Sequence, residues 1–371
     1  LLALLLVALV RGGLLEFLRR GVPPVEQLFF ERVRLVPGQI ELELVNGGPD
    51  PVTVAQVMVD KAFWNFQITP SATLGRLGRA TVRIPYPWVE GEPHEITLLT
   101  STGLTFSHQI AVATETPRPD ARYFAVFTAI GVYVGVVPVA IGLLWFPFLR
   151  GLDRRWLHFA LALTAGLLVF LGVDALEEAL EAAQAVAGAY QGVLVVVVGA
   201  LGALLLLQAV SRSRLSIEGA AGRRAVAYLI AVGIGLHNLG EGLAIGAAYS
   251  LGEVALGAFL IAGFMLHNTT EGLGIVAPIA QDRPRIGTLV ALGLLAGAPT
   301  IAGAWIGGLA YSPLYATLFL AIGVGAIAQV VAALYGMVAR ETEGAVWTPY
   351  TAGGVLAGML VMYGTGLLVA G

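Results

Sequence analysis

The chain has 371 residues, 57% of them hydrophobic and 12% charged, with a formal net charge of −3 and a mean hydropathy of +0.82. Soluble globular domains carry about 25% charged residues, so the composition argues against one, and nothing in the charge points to nucleic acid. No cysteine is present, which removes thiolate metal sites and disulfides together.

Residues 1–10 are apolar but too short to span a bilayer, which needs about 20 residues. With no initiator Met, residues 1–25 read as a truncated signal h-region or an anchor; a surface helix over residues 1–20 is the plainer alternative. Residues 26–116 alternate as strands do, at Ile40–Val45, Val52–Val59, Ala80–Ile84, Ile96–Thr100 and Thr105–Val112. Gly47-Gly48-Pro49-Asp50 and Pro85-Tyr86-Pro87 punctuate them. Short strands with frequent turns predict a small all-β, sandwich-like domain. It carries His94 and His108, expected to be ordinary surface histidines, and it ends in a linker over residues 117–121.

From about residue 122 the pattern changes to eight apolar segments. They cover about 122–148, 156–182, 190–210, 225–249, 253–279, 286–310, 313–338 and 347–370, each long enough to cross a membrane with some tilt. Dense glycine suits close helix packing in lipid. Arg150, Arg154 and Arg155 follow segment one, and Arg212, Arg214, Arg223 and Arg224 follow segment three. Arg283 and Arg285 follow segment five, and Arg340 follows segment seven. The connections after segments two, four and six carry no Lys or Arg. By the positive-inside rule the odd segments run inward. The β-domain and the C-terminus are then expected outside, and a plasma (inner) membrane is the expected location.

Ionisable residues inside such segments are costly, roughly 2.5–3.5 kcal/mol for a central charge, so those that occur need a reason. Segment four carries His237-Asn238-Leu239-Gly240-Glu241-Gly242, and segment five repeats it as His267-Asn268-Thr269-Thr270-Glu271-Gly272. Residues i and i+4 share a helix face, so each copy aims one imidazole and one carboxylate the same way. The two segments run antiparallel with both histidines about halfway along. Opposed, they form a nitrogen/oxygen cage suited to a divalent transition metal. Asn238 and Asn268 lie about 100° from their histidines, where they serve either a second metal position or hydrogen bonds between helices. Segment two adds Asp174, Glu177, Glu178 and Glu181. Asp174 is the deepest and Glu181 the outermost, a carboxylate column that would draw cations inward. Pro299 is expected to break segment six. Thr300, Gln329 and His158 read as structural or interfacial.

Eight segments with both ends outside, carboxylates on the second, and paired His-Asn-x-x-Glu-Gly motifs on the fourth and fifth resemble the ZIP family of divalent-metal transporters. The resemblance covers residues 122–371. It implies a metal centre between helices 2, 4 and 5 with His237, Glu241, His267 and Glu271 as ligands. Asn238 and Asn268 would serve a second position, and Asp174, in Asp174-Ala175-Leu176-Glu177-Glu178, would be the helix-two ligand, with Glu177 beside it. It further implies inward transport by alternating access. The chain departs from the pattern at Gly240 and Thr270, where proline is common in the helix-four motif, and at Thr300, where some members have a glutamate. The loop 211–224 has no histidine, and the β-domain is outside the family pattern.

The expected function is therefore transport of Zn²⁺, or Fe²⁺ or Mn²⁺, with the metal as substrate, no organic cofactor and no enzymatic activity. The expected partners are the metal ion and the lipid bilayer, with a homodimer as the assembly to test; what the β-domain binds is open. Two other classes fit less. An intramembrane metalloprotease needs His-Glu-x-x-His, and Asn stands at the base position here. A metal sensor or assembly protein would work through its β-domain.

Overall fold

The computed structural model describes residues 26–116, 118–215, 219–250, 254–310, 312–342 and 346–370. The expected signal or anchor over residues 1–25 lies outside them.

The N-terminal part is a sandwich of two antiparallel sheets. One has the order β1 (Leu28–Val36), β2 (Gln39–Asn46), β7 (Arg79–Ile84), β5 (Gln67–Thr69). The other runs β4 (Ala62–Trp64), β3 (Val52–Val59), β8 (His94–Thr100), β9 (Thr105–Ile110), with β6 (Thr73–Leu74) on β3. Alternation drives Ile40, Leu42 and Leu44 of β2 against Val57, Ile96 and Leu98, all fully buried. Burial of each such side chain contributes roughly 1.5–3 kcal/mol. β1 is a strand the alternation does not reveal. A register shift between Phe30 and Arg32 inserts Glu31 and breaks the period of two.

His94 and His108 are not the surface residues expected. His94 shares the inner face of β8 with Ile96 and Leu98, and His108 lies opposite Ile96. His94 Nδ1 is 2.8 Å from Asp60 Oδ2, which also accepts from Tyr86 Oη. Burial opposes ionisation of Asp60, but hydrogen bonds from Glu95 N–H, His94 and Tyr86 outweigh it and hold the carboxyl below its ordinary value. Burial alone pushes the His108 imidazole below its ordinary value.

The remainder is helical. Among the described residues, six stretches are long and apolar enough to cross a membrane: α1 (Ala121–Leu149), α2 (Arg154–Gln184), the Gly192–Val210 part of α3, the Gly219–Tyr249 part of α4, Ile286–Leu309 within α6, and the Pro313–Arg340 part of α7. In full, α3 covers Gly192–Leu215, α4 Gly219–Ser250 and α7 Pro313–Glu341. α5 (Val254–Val276) and α8 (Pro349–Ala370) are further helices of 23 and 22 residues. Two irregularities matter for the site. α1 passes through a π-helical stretch at Val132–Val136. α6 is broken into Ile286–Gly297 and Pro299–Ala310, because Pro299 has no N–H to continue the ladder.

Glycine packing sorts the helices into two groups. In the first (α1, α4, α5, α6), a Cβ on Gly142 would lie 2.2 Å from Thr269 O, and one on Gly242 2.1 Å from Thr300 O. In the second (α2, α3, α7, α8), a Cβ on Gly166 would lie 2.2 Å from Val355 O, and one on Gly358 2.2 Å from Leu163 O. Backbones touch within each group, as small residues permit. Between groups, Gly233 faces Val330 Cγ2 and Gly274 faces Thr164 Cγ2, both side-chain atoms; Gly323 stands 3.2 Å from His237 Cα. Arg223 of α4 adds a link inside the first group, its Nε donating to Asp282 Oδ2 before α6 (2.9 Å).

The β-domain sits at one end of the helices. Arg32 Nη2 donates to Leu309 O of α6 (2.5 Å), and Gly47 packs on Ala187 after α2. A cleft of about 580 Å³ separates Glu90 and Glu115 from Tyr123 of α1 and Tyr249 of α4. The ends of α2, α4 and α6, which precede the arginine-free connections, therefore share the β-domain's side.

Candidate metal centre

α4 and α5 pack side by side, and the two hexapeptides meet in the interior. His237, Asn238, Glu241, His267, Asn268 and Glu271 are all buried, none more than 8% exposed. His237 Nε2 is 3.1 Å from Glu241 Oε1. His267 Nε2 makes a short hydrogen bond to the same oxygen. The imidazole rings stand 6.3 Å apart, centroid to centroid. One ligand atom from each of His237, Glu241 and His267 falls within 4.8 Å of the others. The i, i+4 spacing does this on α4 directly, and the packing of α5 supplies the second imidazole.

The second glutamate differs. Neither Glu271 oxygen has a well-formed hydrogen bond to another protein group, although it is buried. A buried carboxylate with nothing on its oxygens costs several kcal/mol unless a cation or proton joins it. The oxygens Asn238 Oδ1, Asn268 Oδ1 and Thr300 Oγ1 are likewise buried and without partners. The residues therefore fit a divalent cation in their chemistry: two imidazoles, two carboxyl groups and amide oxygens, the set that borderline metals take.

The asparagines show how the cage is held. Asn238 Nδ2 donates to Ala296 O (3.2 Å), in the turn that Pro299 interrupts. Asn268 Nδ2 donates to Val134 O (3.1 Å), inside the π-helical stretch of α1, and to Glu241 Oε2 (3.1 Å). Each amide is thus anchored by its nitrogen to a carbonyl at a helix irregularity, and its oxygen is left over. The two readings left open from sequence use opposite ends of one side chain. π-helical turns are frequent at functional sites.

α2 is placed differently from expectation. Asp174 and Glu177 are exposed and lie outside the cluster of three. Glu178 is half-buried instead, and its charge is felt at His237 and His267. Ala175 and Ala179 are the buried positions of this stretch, so the face turned inward is centred beside Glu178. Asp174 is still close enough for its charge to be felt at His267. Glu181 is exposed. Gln329 and Thr300 are buried.

On the other side of the cage, Thr164, Leu167, Leu168, Leu171, Ile234 and Met362 surround only about 10 Å³ of free space beside His267 and Glu271. That is at the limit for a single water, so apolar side chains close this way out. The chain matches no protein-family model and no curated protein.

Proposed function

We propose that the chain is a ZIP-like carrier that moves a divalent transition metal, Zn²⁺ first and Fe²⁺ or Mn²⁺ next, across the plasma membrane into the cytoplasm. One observation carries the reading: two imidazoles converge on Glu241 beside Glu271, whose buried oxygens have no well-formed hydrogen bond among the described residues. In this reading α5 and α8 also cross the membrane, which makes eight spans, and the arginine-rich connections face the cytoplasm. The β-domain and C-terminus are then outside.

The metal enters past Asp174, Glu177 and Glu178, whose carboxylates replace part of its hydration shell. His237, His267, Glu241 and Glu271 bind it, and the asparagine oxygens complete the shell or hold a weaker second ion. Metal displaces the protons that otherwise sit between imidazole and carboxylate, so acid competes with binding. The apolar side chains from Leu168 to Met362 close the cytoplasmic exit in this conformation. Release requires the two helix groups to shift past one another, where a glycine Cβ would meet backbone at 3.2 Å (Gly323 to His237 Cα) and 3.3 Å (Gly233 to Ala326 O) rather than at the 2.1–2.2 Å found within each group. Alternating access follows, with the substrate site carried by the first group.

The test is metal uptake into proteoliposomes by the wild-type chain and by the His237→Ala, His267→Ala double variant. Uptake should fall to background in the variant. Equal flux in both would reject the proposal.

A further inference from the structure

The β-domain touches both helix groups, and it does so unequally. Its ties to the first group are strong. The linker is strapped to β1 by Leu35 N donating to Thr116 Oγ1 and Thr116 N donating to Leu35 O (2.8 Å each). The chain then enters α1 directly, where Asp120 Oδ1 caps the Tyr123 N–H. Buried Arg32 donates to Leu309 O near the end of α6, where a cation complements the helix dipole. β1 also packs on α4.

The contact with the second group is of another kind. The turn Asn46–Gly48 lies on the connection between α2 and α3. A Cβ on Gly47 would stand 3.1 Å from Ala187 Cα, and one on Gly188 3.3 Å from Gln27 Oε1. This is a close contact of two glycines with Ala187 and the Gln27 side chain, with no ion pair across it among the described residues.

We propose that the β-domain is a latch: it travels with α1, α4 and α6, and its Gly47 turn releases the α2–α3 connection each time the two groups move. The proposal rests on the alternating-access reading above. Latched, the domain holds the groups in the arrangement seen here, with the cytoplasmic exit closed. The contact sets Gly47 against Ala187 and Gly188 against the end of the Gln27 side chain, so it can re-form by sliding surfaces together rather than by threading side chains. A contact made and broken in each cycle is also one where strong pairing would slow turnover.

The absence of cysteine allows a direct test on the full chain in proteoliposomes. One variant pairs Gln27→Cys with Gly188→Cys, across the latch. A second pairs Glu90→Cys with Arg122→Cys, which bridges the cleft between the β-domain and α1. Both are joined with the same short, reducible bifunctional thiol reagent. The first link should cut Zn²⁺ flux roughly tenfold or more, with recovery on reduction, and the second should leave flux near the parent level. Full flux with the first link closed, or equal loss with both, overturns the latch. Absence of flux from the cysteine-free parent would count instead against transport itself. In that event nitroxide pairs at Lys61 and Gln191, and at Lys61 and Arg122, decide the matter without flux. Zn²⁺ should add a second distance population to the first pair alone, and one unchanged population in both pairs overturns the latch.

Discussion

The two hexapeptides differ in only two letters, yet the structure treats their glutamates as opposites. Glu241 receives both imidazoles and the Asn268 amide. Glu271, equally buried, has no well-formed hydrogen bond on either oxygen. The difference comes from neighbours rather than from the repeat. Asn268 donates to Glu241 at 3.1 Å, while Asn238, although beside Glu271, makes its well-formed bond to the Ala296 carbonyl at the break in α6. A duplicated motif therefore yields one carboxylate held by three donors and one with no well-formed hydrogen bond among the described residues.

Neutralising each glutamate separately is the strongest way to break that contrast. Glu241→Gln should lower Zn²⁺ affinity about 100-fold or more, since it removes a ligand and disorders both histidines. It should also lower the melting temperature of the metal-free protein. Glu271→Gln should weaken Zn²⁺ binding while leaving the metal-free protein at least as stable, because it removes an unpaired buried carboxylate. Isothermal titration and thermal unfolding in detergent read both. If Glu271→Gln destabilised the metal-free chain as much as Glu241→Gln, the contrast would be lost.

A second pair of substitutions separates packing from chemistry within one motif. Gly242→Ala should cost about 1–3 kcal/mol by overpacking, since its Cβ would lie 2.1 Å from Thr300 O. Gly240→Ala, which meets the flexible Leu320 Cδ2 at 3.3 Å, should be neutral or slightly stabilising in the same unfolding assay. The asparagines come next. Asn238→Ala and Asn268→Ala should each cost about 1 kcal/mol from the lost amide bond, and added Zn²⁺ should stabilise each variant less than it stabilises wild type.

The smallest effect lies in the β-domain. His108 is held below its ordinary value of 6.5 by burial, so the unfolded chain takes up its proton first as pH falls. The stability due to its neutral form is present above pH 6.5 and declines below it. Hydrogen-exchange protection in β8 and β9, corrected for the intrinsic pH dependence of amide exchange, should fall between pH 7 and 5, and His108→Leu should flatten that dependence.

Much of this was legible in the sequence, for physical reasons that also explain the exceptions. Long apolar runs and an i, i+4 repeat are coarse, periodic signals, so the helices and the His/Glu cluster follow from them. The β-sandwich core follows from period-two alternation, but β1 escapes because the irregularity at Glu31 breaks it. On α2 the spacing identified a carboxylate face without fixing its rotation, and packing of Ala175 and Ala179 turned Glu178 inward rather than Asp174 or Glu177. The carbonyls that anchor Asn238 and Asn268 arise at a proline break and a π-helical turn. The first is signalled by Pro299, and the second has no mark in the letters. His94 and His108 are polar letters on an inward register, which pairing decides and composition does not.

The most direct measurement is anomalous scattering from crystals of the full chain grown with Zn²⁺. The expected result is a zinc peak bounded by His237, His267 and Glu241, with Glu271 turned toward it. Zinc bound elsewhere in the chain, with no peak between those three side chains, would contradict it.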